Sequence, residues 1–192
     1  MLGKQSWKTT LLFVFFSLFL FTACGGQQAK PESQPAAQKP DPPLAKKYHK
    51  IVVMGLTSTP QIKKDYPDAL KDCQASLVAA LKNNKTFKSV VSDKSGSKHS
   101  RGSLLVMVNV SDMRIVAGAA RFWGGWFAGS SYMNLDLKLV DSTSKKVVRE
   151  KPISSSNNAY AAAWTGGSSD RTLPSDMGKI VAGYIGSIIP KK

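Results

Sequence analysis

The chain has 192 residues, two of them cysteine, and its 27 Lys and Arg against 12 Asp and Glu give a formal net charge of +15. This length fits one domain of ordinary size, and two cysteines are too few for a disulfide scaffold. The excess of positive charge indicates either an anionic partner or a basic surface that keeps the protein soluble, and the sequence leaves both interpretations open. The lysines are scattered through the N-terminal segment, the first predicted helix and the loops rather than gathered on one stripe.

Residues 1–23 have the pattern of a bacterial export signal. A lysine-containing start precedes an almost unbroken apolar run over residues 11–21, which is too short for a comfortable membrane span. The small residues before Cys24 and the glycines after it resemble the bacterial lipoprotein box, in which the cysteine receives diacylglycerol and a fatty acid such as palmitate. The resemblance implies a lipoprotein signal peptide over residues 1–23 and a membrane anchor at Cys24. Because Gly25 rather than Asp follows, it also implies the outer membrane, with the domain facing the periplasm.

Residues 24–47 are rich in Gln, Ala, Pro and Lys and contain almost no large apolar side chain. Such a segment cannot bury enough surface to offset the entropy that it would lose on ordering. We therefore predict a disordered, Pro-rich tether that follows the acylated cysteine and carries a single folded domain over residues 48–192.

The folded domain shows strand signals interleaved with helix signals. Short apolar or alternating runs predict five strands, and two stretches with apolar residues at helical spacing predict helices. The strands are predicted over residues 49–57, 87–91, 104–115, 133–139 and 146–155, the helices from Pro67 to about 82–85 and from Pro174 to 189, and polar loops over 92–103 and 165–169. This order predicts an α+β fold, with a single mixed β-sheet and helices packed on one face.

Cys73 is predicted to be a core residue. If Cys24 is acylated, Cys73 has no partner for a disulfide. It shares one face of the first predicted helix with Leu70, Leu77 and Leu81. A nucleophilic cysteine needs a base within reach, and no histidine is close to Cys73 in the sequence.

A Gly-rich segment over residues 118–129 contains four large aromatic residues beside one arginine. Trp and Arg are enriched at binding hot spots, and an arginine can stack on aromatic rings. Two other interpretations stay open: the rings pack under the sheet while the glycines form a bend, or the tryptophans contact a bilayer interface. Against membrane contact, the tether permits the domain to lie far from the bilayer. The candidate interaction patch consists of Arg121, Phe122, Trp123, Trp126 and Phe127.

Several of these features together resemble a known family. They are the export signal with its lipid-box cysteine, the Gly-x-x-Arg-aromatic-aromatic-Gly-Gly segment, the strand with alternating leucines, the Asp-Ser-Thr turn and the terminal Gly-containing helix. This combination is similar to the bacterial lipoproteins of domain of unknown function 4410. The resemblance covers about residues 51–189, is strongest over residues 104–148, and implies no established activity.

Common catalytic motifs are absent from the sequence. It contains no His-Glu-x-x-His, no Gly-x-Ser-x-Gly, no Walker loop and no paired-cysteine metal motif. We therefore expect no catalytic residues, no metal and no cofactor. The alternative is a hydrolase of an envelope polymer that uses carboxylates and a near-neutral base. Its candidate residues are Asp112, Asp136, Asp141, His49 and His99.

The expected function is that of a non-catalytic envelope lipoprotein. Its tethered domain would bind another envelope component, either a protein or an anionic polymer, or assemble with itself. We do not expect nucleic acid as a partner, because an exported protein first meets phospholipid head groups, lipopolysaccharide phosphates and peptidoglycan carboxylates. The sequence does not set the oligomeric state.

Overall fold

The computed structural model describes residues 40–93, 101–157 and 168–190. The predicted signal peptide, Cys24, most of the predicted tether, His99 and part of each predicted polar loop lie outside these ranges. The compact unit that contains the sheet begins at Asp41, which is earlier than the predicted domain start at residue 48. The reason is local packing, because Leu44 is buried in the core and its N–H donates a hydrogen bond of 2.7 Å to the Ile188 carbonyl.

The described residues form six strands, four α-helices and one 3₁₀ turn. The strands are β1 (Lys50–Met54), β2 (Thr57–Ser58), β3 (Ser89–Asp93), β4 (Leu104–Arg114), β5 (Tyr132–Asp141) and β6 (Val147–Ser156). The helices are α1 (Pro60–Asp65), α2 (Pro67–Asn83), α3 (Gly118–Gly124) and α4 (Ser168–Ile188), and the 3₁₀ turn is Gly125–Ala128.

The strands form one mixed sheet, as the sequence predicts. The strand order is β3-β1-β4-β5-β6, and the short β2 pairs with the far part of β4. β1 is parallel to β3 and β4, whereas β5 is antiparallel to its two neighbours, β4 and β6. The parallel pairs follow from the crossover through α2, and the antiparallel pairs follow from direct connections.

The register defines two ends of the sheet. At one end Lys50 pairs with Ser89, and Leu104 pairs with Asp141. We call this the basal end, because the parallel strands begin there. At the other end, the upper end, Arg114 pairs with Tyr132. Both α2 and α4 run from the upper end to the basal end.

α2 and α4 cover one face of the sheet, which confirms the predicted arrangement. Alternate residues of β4 and β5 point at the helices and are buried, as the period of two requires. The cluster includes Val106, Val108, Leu135 and Leu137 from the sheet, Cys73, Leu77 and Leu81 from α2, and Met177, Val181 and Ile185 from α4. Ile180, which helical spacing placed near this face, is 43% exposed.

Three local predictions differ from the structure. The short helix α1 lies between the first predicted strand and the first predicted helix, and the Thr59 hydroxyl before it accepts a hydrogen bond from the Ile62 N–H. Ser103, predicted in an exposed loop, is fully buried. α4 begins at Ser168 rather than at Pro174, because packing of buried Leu173 outweighs the hydrogen bond that a proline inside a helix removes.

Candidate interaction surface

The Gly-rich segment is a helical connection between β4 and β5. We call residues 118–128, which form α3 and the 3₁₀ turn, the aromatic arm. Its start contains two alanines and an arginine, which favour a helix. Gly125 and Gly129 have φ angles of 51° and 82°, a region that glycine adopts at low cost. These two glycines allow the chain to turn after α3 and to re-enter the sheet.

Hydrogen bonds connect the two ends of the arm to the upper end of the sheet. The Val116 N–H donates a hydrogen bond of 2.9 Å to the Ser131 hydroxyl, and both residues are buried. The Arg114 guanidinium donates a hydrogen bond of 3.0 Å to the Ala128 carbonyl. A side chain on Gly129 would lie 3.1 Å from the same guanidinium, so the arginine packs closely against the end of the arm.

The aromatic side chains of the arm are exposed. Phe122 is 78% exposed, Trp123 is 85%, Trp126 is 56% and Phe127 is 78%. The interpretation that these rings pack under the sheet is therefore wrong. The rings do not lie under the sheet because the chain leaves the sheet after Arg114 and returns only at Tyr132.

The exposed rings contact each other in pairs. Phe122 and Trp123 meet edge to face with their ring centroids 5.2 Å apart. Trp126 and Phe127 are stacked with centroids 3.8 Å apart. Such pairs leave most of their apolar area in water, and large exposed apolar patches mark interaction sites. Arg121, the fifth residue of the predicted patch, lies on α3 directly before Phe122.

Asp141, a candidate of the hydrolase alternative, is a buried structural acceptor. It accepts hydrogen bonds from Tyr48 Oη at 2.8 Å, from Lys46 Nζ at 2.9 Å, and from the N–H groups of Thr143 and Ser144 at 2.8 Å each. The Ser144 N–H, followed by the Lys46 and Tyr48 contacts, holds the pKa of Asp141 well below its ordinary range. Burial and the bond to Asp141 raise the pKa of Tyr48 to about 12. A carboxylate with these partners stabilises the turn and the start of the domain.

The other hydrolase candidates are dispersed over the sheet. Asp112 lies at the upper end, where its hydrogen bond raises the pKa of Tyr132. Asp136 is exposed in the middle of β5, opposite Asn109. His49 is exposed at the basal end, and His99 lies outside the described residues. Among residues 40–93, 101–157 and 168–190, no three His, Cys, Asp or Glu side chains form a group that could hold a metal ion.

Cys73 is a core residue, as predicted, and the structure places it between α2 and α4. It is 1% exposed, and it is a free thiol. Burial raises its pKa to about 12, so the thiolate is scarce at neutral pH. Within residues 40–93, 101–157 and 168–190, no helix is both long and apolar enough to cross a membrane.

Taken together, the mixed sheet, the two covering helices and the arm define an α+β domain whose distinguishing surface is a set of exposed aromatic rings. The chain belongs to the family described as Domain of unknown function (DUF4410), whose model matches residues 28–163. No curated protein matches this chain.

Several solved structures are similar to this chain. The PelC dodecamer from Paraburkholderia phytofirmans has a TM-score of 0.52 at 14% identity, covering 79% of this chain and 94% of that one. A protein from Xanthomonas campestris has a TM-score of 0.46 at 10% identity, covering 74% of this chain and 88% of that one. A minor lipoprotein from Acinetobacter baumannii has a TM-score of 0.41 at 9% identity, covering 73% and 94% respectively. At these identities the likeness to PelC shows the fold alone.

Proposed function

We propose that this protein is a non-catalytic lipoprotein of the bacterial envelope whose domain binds another envelope component, or a second copy of itself, through the aromatic arm. Acylated Cys24 anchors it to the periplasmic face of the outer membrane, and residues after it serve as the tether. The observation that carries the proposal is the exposure of all four aromatic rings of the arm.

The composition of the arm supports a protein partner. Tryptophan is among the residues that contribute most to binding, because it buries a large rigid surface at little cost in conformational entropy. An arginine next to the rings adds a planar cation that can stack or donate several hydrogen bonds. Hydrogen bonds at Val116, Ser131 and Arg114 attach the two ends of the arm to the sheet before binding, which lowers the entropy cost of association.

Self-assembly is the second form of the proposal. The PelC structure that shares this fold is a dodecamer. An apolar surface that contacts a different surface of the next copy generates rings or filaments. The arm has the exposed apolar area that such a contact needs.

The anchor is tested by changing the cysteine that carries it. Cys24→Ser removes the thiol that would accept the lipid, so labelled fatty acid should no longer be incorporated, and the chain should be released or stay unprocessed. Fatty acid that still labels the Cys24→Ser protein refutes the assigned anchor.

The arm is tested by photocrosslinking in native envelopes. A photoreactive amino acid replaces Trp123 in one strain and Ile180, an exposed residue of α4, in a matched control. We expect a discrete crosslinked product from position 123 and none from position 180. A heteromeric product supports binding of another component, a product of two copies supports self-assembly, and equal or no crosslinking at both positions contradicts the proposal.

A further inference from the structure

The fold gathers cations from distant parts of the sequence at the basal end of the sheet. Lys50 opens β1, and the N–H of Lys88, just before β3, donates a hydrogen bond of 2.9 Å to the His49 carbonyl. Arg101 precedes β4, next to Gly102, whose N–H donates a bond of 3.0 Å to the Thr143 hydroxyl in the β5–β6 turn. The same turn contains Lys145 and Lys146. The basic end is defined by Lys50, Lys85, Lys88, Arg101, Lys145 and Lys146, all of them exposed.

The positive charge of the basic end is not compensated locally. Among the described residues, none of these six cations forms an ion pair. The carboxylate that lies at this end of the register, Asp141, is buried and is paired with Lys46 at 2.9 Å. Lys47 is adjacent in the chain and adds a further cation.

The upper end differs, because its charges are mixed. Lys63, Lys64 and Lys71 are interspersed there with the exposed carboxylates of Asp65 and Asp68. Lys71 forms an ion pair of 3.0 Å with Asp68. A field of one sign therefore exists at the basal end and not at the upper end.

The start of the compact unit lies in the basal half of the domain. Leu44 bonds to Ile188 at the last turn of α4, and Asp41 contacts Tyr184, one turn earlier. The 21 residues of α4 extend about 30 Å. The aromatic arm is at the other end of this helix, where a side chain on Gly118 would lie 3.8 Å from the Arg171 guanidinium.

We propose that the basic end docks on the anionic phospholipid head groups of the membrane that holds the lipid anchor. The inference rests on the proposed anchor at Cys24. A Pro-rich chain from Cys24 to Asp41 would reach on the order of 50 Å, so the tether by itself permits either end of the domain to face the bilayer. The uncompensated cations select the basal end, because each Lys or Arg near an anionic surface favours contact roughly fivefold. Docking in this orientation directs the aromatic arm away from the bilayer and toward a partner.

The test is lysine footprinting of the full acylated protein in vesicles. The protein is reconstituted in phosphatidylcholine alone or mixed with phosphatidylglycerol, and a water-soluble amine reagent is followed at each lysine by mass spectrometry. On the anionic vesicles we expect Lys50, Lys85, Lys88, Lys145 and Lys146 to react at least fivefold more slowly than on the neutral ones. High salt should remove this protection, while Lys63, Lys64 and Lys71 should react equally on both.

A charge-reversal pair makes the test specific. Lys50→Glu, Lys85→Glu and Lys88→Glu combined should abolish the protection of Lys145 and Lys146. The matched variant, Lys63→Glu, Lys64→Glu and Lys71→Glu combined, should keep it. Equal unfolding midpoints establish that both variants are folded.

Each remaining outcome decides against the inference. The docking inference would be overturned if the basal lysines were unprotected on anionic vesicles, or if they were protected equally on neutral and anionic vesicles. It would also be overturned if the upper lysines were protected instead. The same digest reports the acyl group on the Cys24 peptide. An acylated chain with unprotected basal lysines therefore refutes the docking alone, whereas a chain without the acyl group refutes the anchor.

Discussion

The contact between α2 and α4 and the aromatic arm are both formed by helical segments with many apolar residues, and both α4 and the arm contain glycines. The apolar side chains of the two regions nevertheless have opposite exposure. Cys73, Leu77 and Met177 in the helix contact are almost fully buried, whereas the arm exposes more than half of every aromatic ring. Burial of the first set stabilises the fold, since apolar area removed from water is the main favourable contribution. The arm contributes little to that burial, so its rings are better explained by binding.

Glycine has a different role in each region. A side chain on Gly178 would lie 2.5 Å from the Cys73 carbonyl oxygen and 2.7 Å from the Leu77 nitrogen, so its absence lets the two helix backbones approach. A side chain on Gly125 would meet no atom within 4 Å, and this glycine allows the turn because its φ angle is positive. The comparison separates a glycine needed for packing from one needed for chain direction.

The largest expected effect in the contact between α2 and α4 is the difference in the reactivity of the Cys73 thiol between native and denatured protein. Cys73 should react with a thiol reagent about a hundredfold more slowly in the native protein than in denaturant, because it reacts only after local opening. The raised pKa of about 12 slows the native reaction further. Reaction at equal rates in both states would place Cys73 on the surface and remove the contrast.

The helix contact is tested by a pair of glycine substitutions in α4. Gly178→Ala introduces a methyl group against the α2 backbone and should lower the free energy of unfolding by about 1–3 kcal/mol. Gly183→Ala is the matched control, because its new side chain meets nothing within 4 Å and alanine favours a helix by about 1 kcal/mol. Denaturant unfolding of the two variants should give opposite signs. A neutral Gly178→Ala would show that the helices are not closely packed there.

Much of the packed region could be predicted from the sequence. The spacing of Leu70, Cys73, Leu77 and Leu81 placed Cys73 in the core, and the alternating leucines of β5 placed one face of the sheet inward. These signals work because a repeated period reports which face an element buries. Asp141 was harder, because its partners Lys46 and Tyr48 lie 95 and 93 residues away in the chain.

The exposed regions could be predicted only in part. Four aromatic residues within six positions carry no period that distinguishes a core from a surface, so the arm's exposure required the structure. The basic end is also invisible in the linear sequence, where its lysines are scattered. The missing information was the strand pairing: Lys50, Lys88 and Arg101 lie at or shortly before the starts of β1, β3 and β4, and the parallel pairing brings these three starts to one end of the sheet.

Asp141, with its partners Lys46 and Tyr48, is expected to make a smaller and pH-dependent contribution to the stability of the domain. The pKa of Asp141 is lowered in the folded protein. The stabilisation that the Asp141 carboxylate provides is therefore complete above pH 3.8, its ordinary pKa, and is lost as the pH falls below that value. Asp141→Asn should lower the unfolding midpoint at neutral pH and flatten the acid limb of the stability profile. Asp136→Asn, on the exposed side of the same strand, should leave both unchanged. Equal profiles for wild type and Asp141→Asn would show that the carboxylate does not stabilise this end.

The most direct measurement of the central claim compares stability and binding in the Trp123→Ala, Trp126→Ala double variant. Because both rings are exposed, the free energy of unfolding should stay within about ±0.5 kcal/mol of wild type for each substitution. Recovery of the crosslinked or co-purified partner from native envelopes should fall, and Arg121→Ala should weaken the same interaction through loss of its cation. Destabilisation by several kcal/mol, or full recovery of the partner in the stable double variant, would contradict the assignment of the aromatic arm as the binding surface.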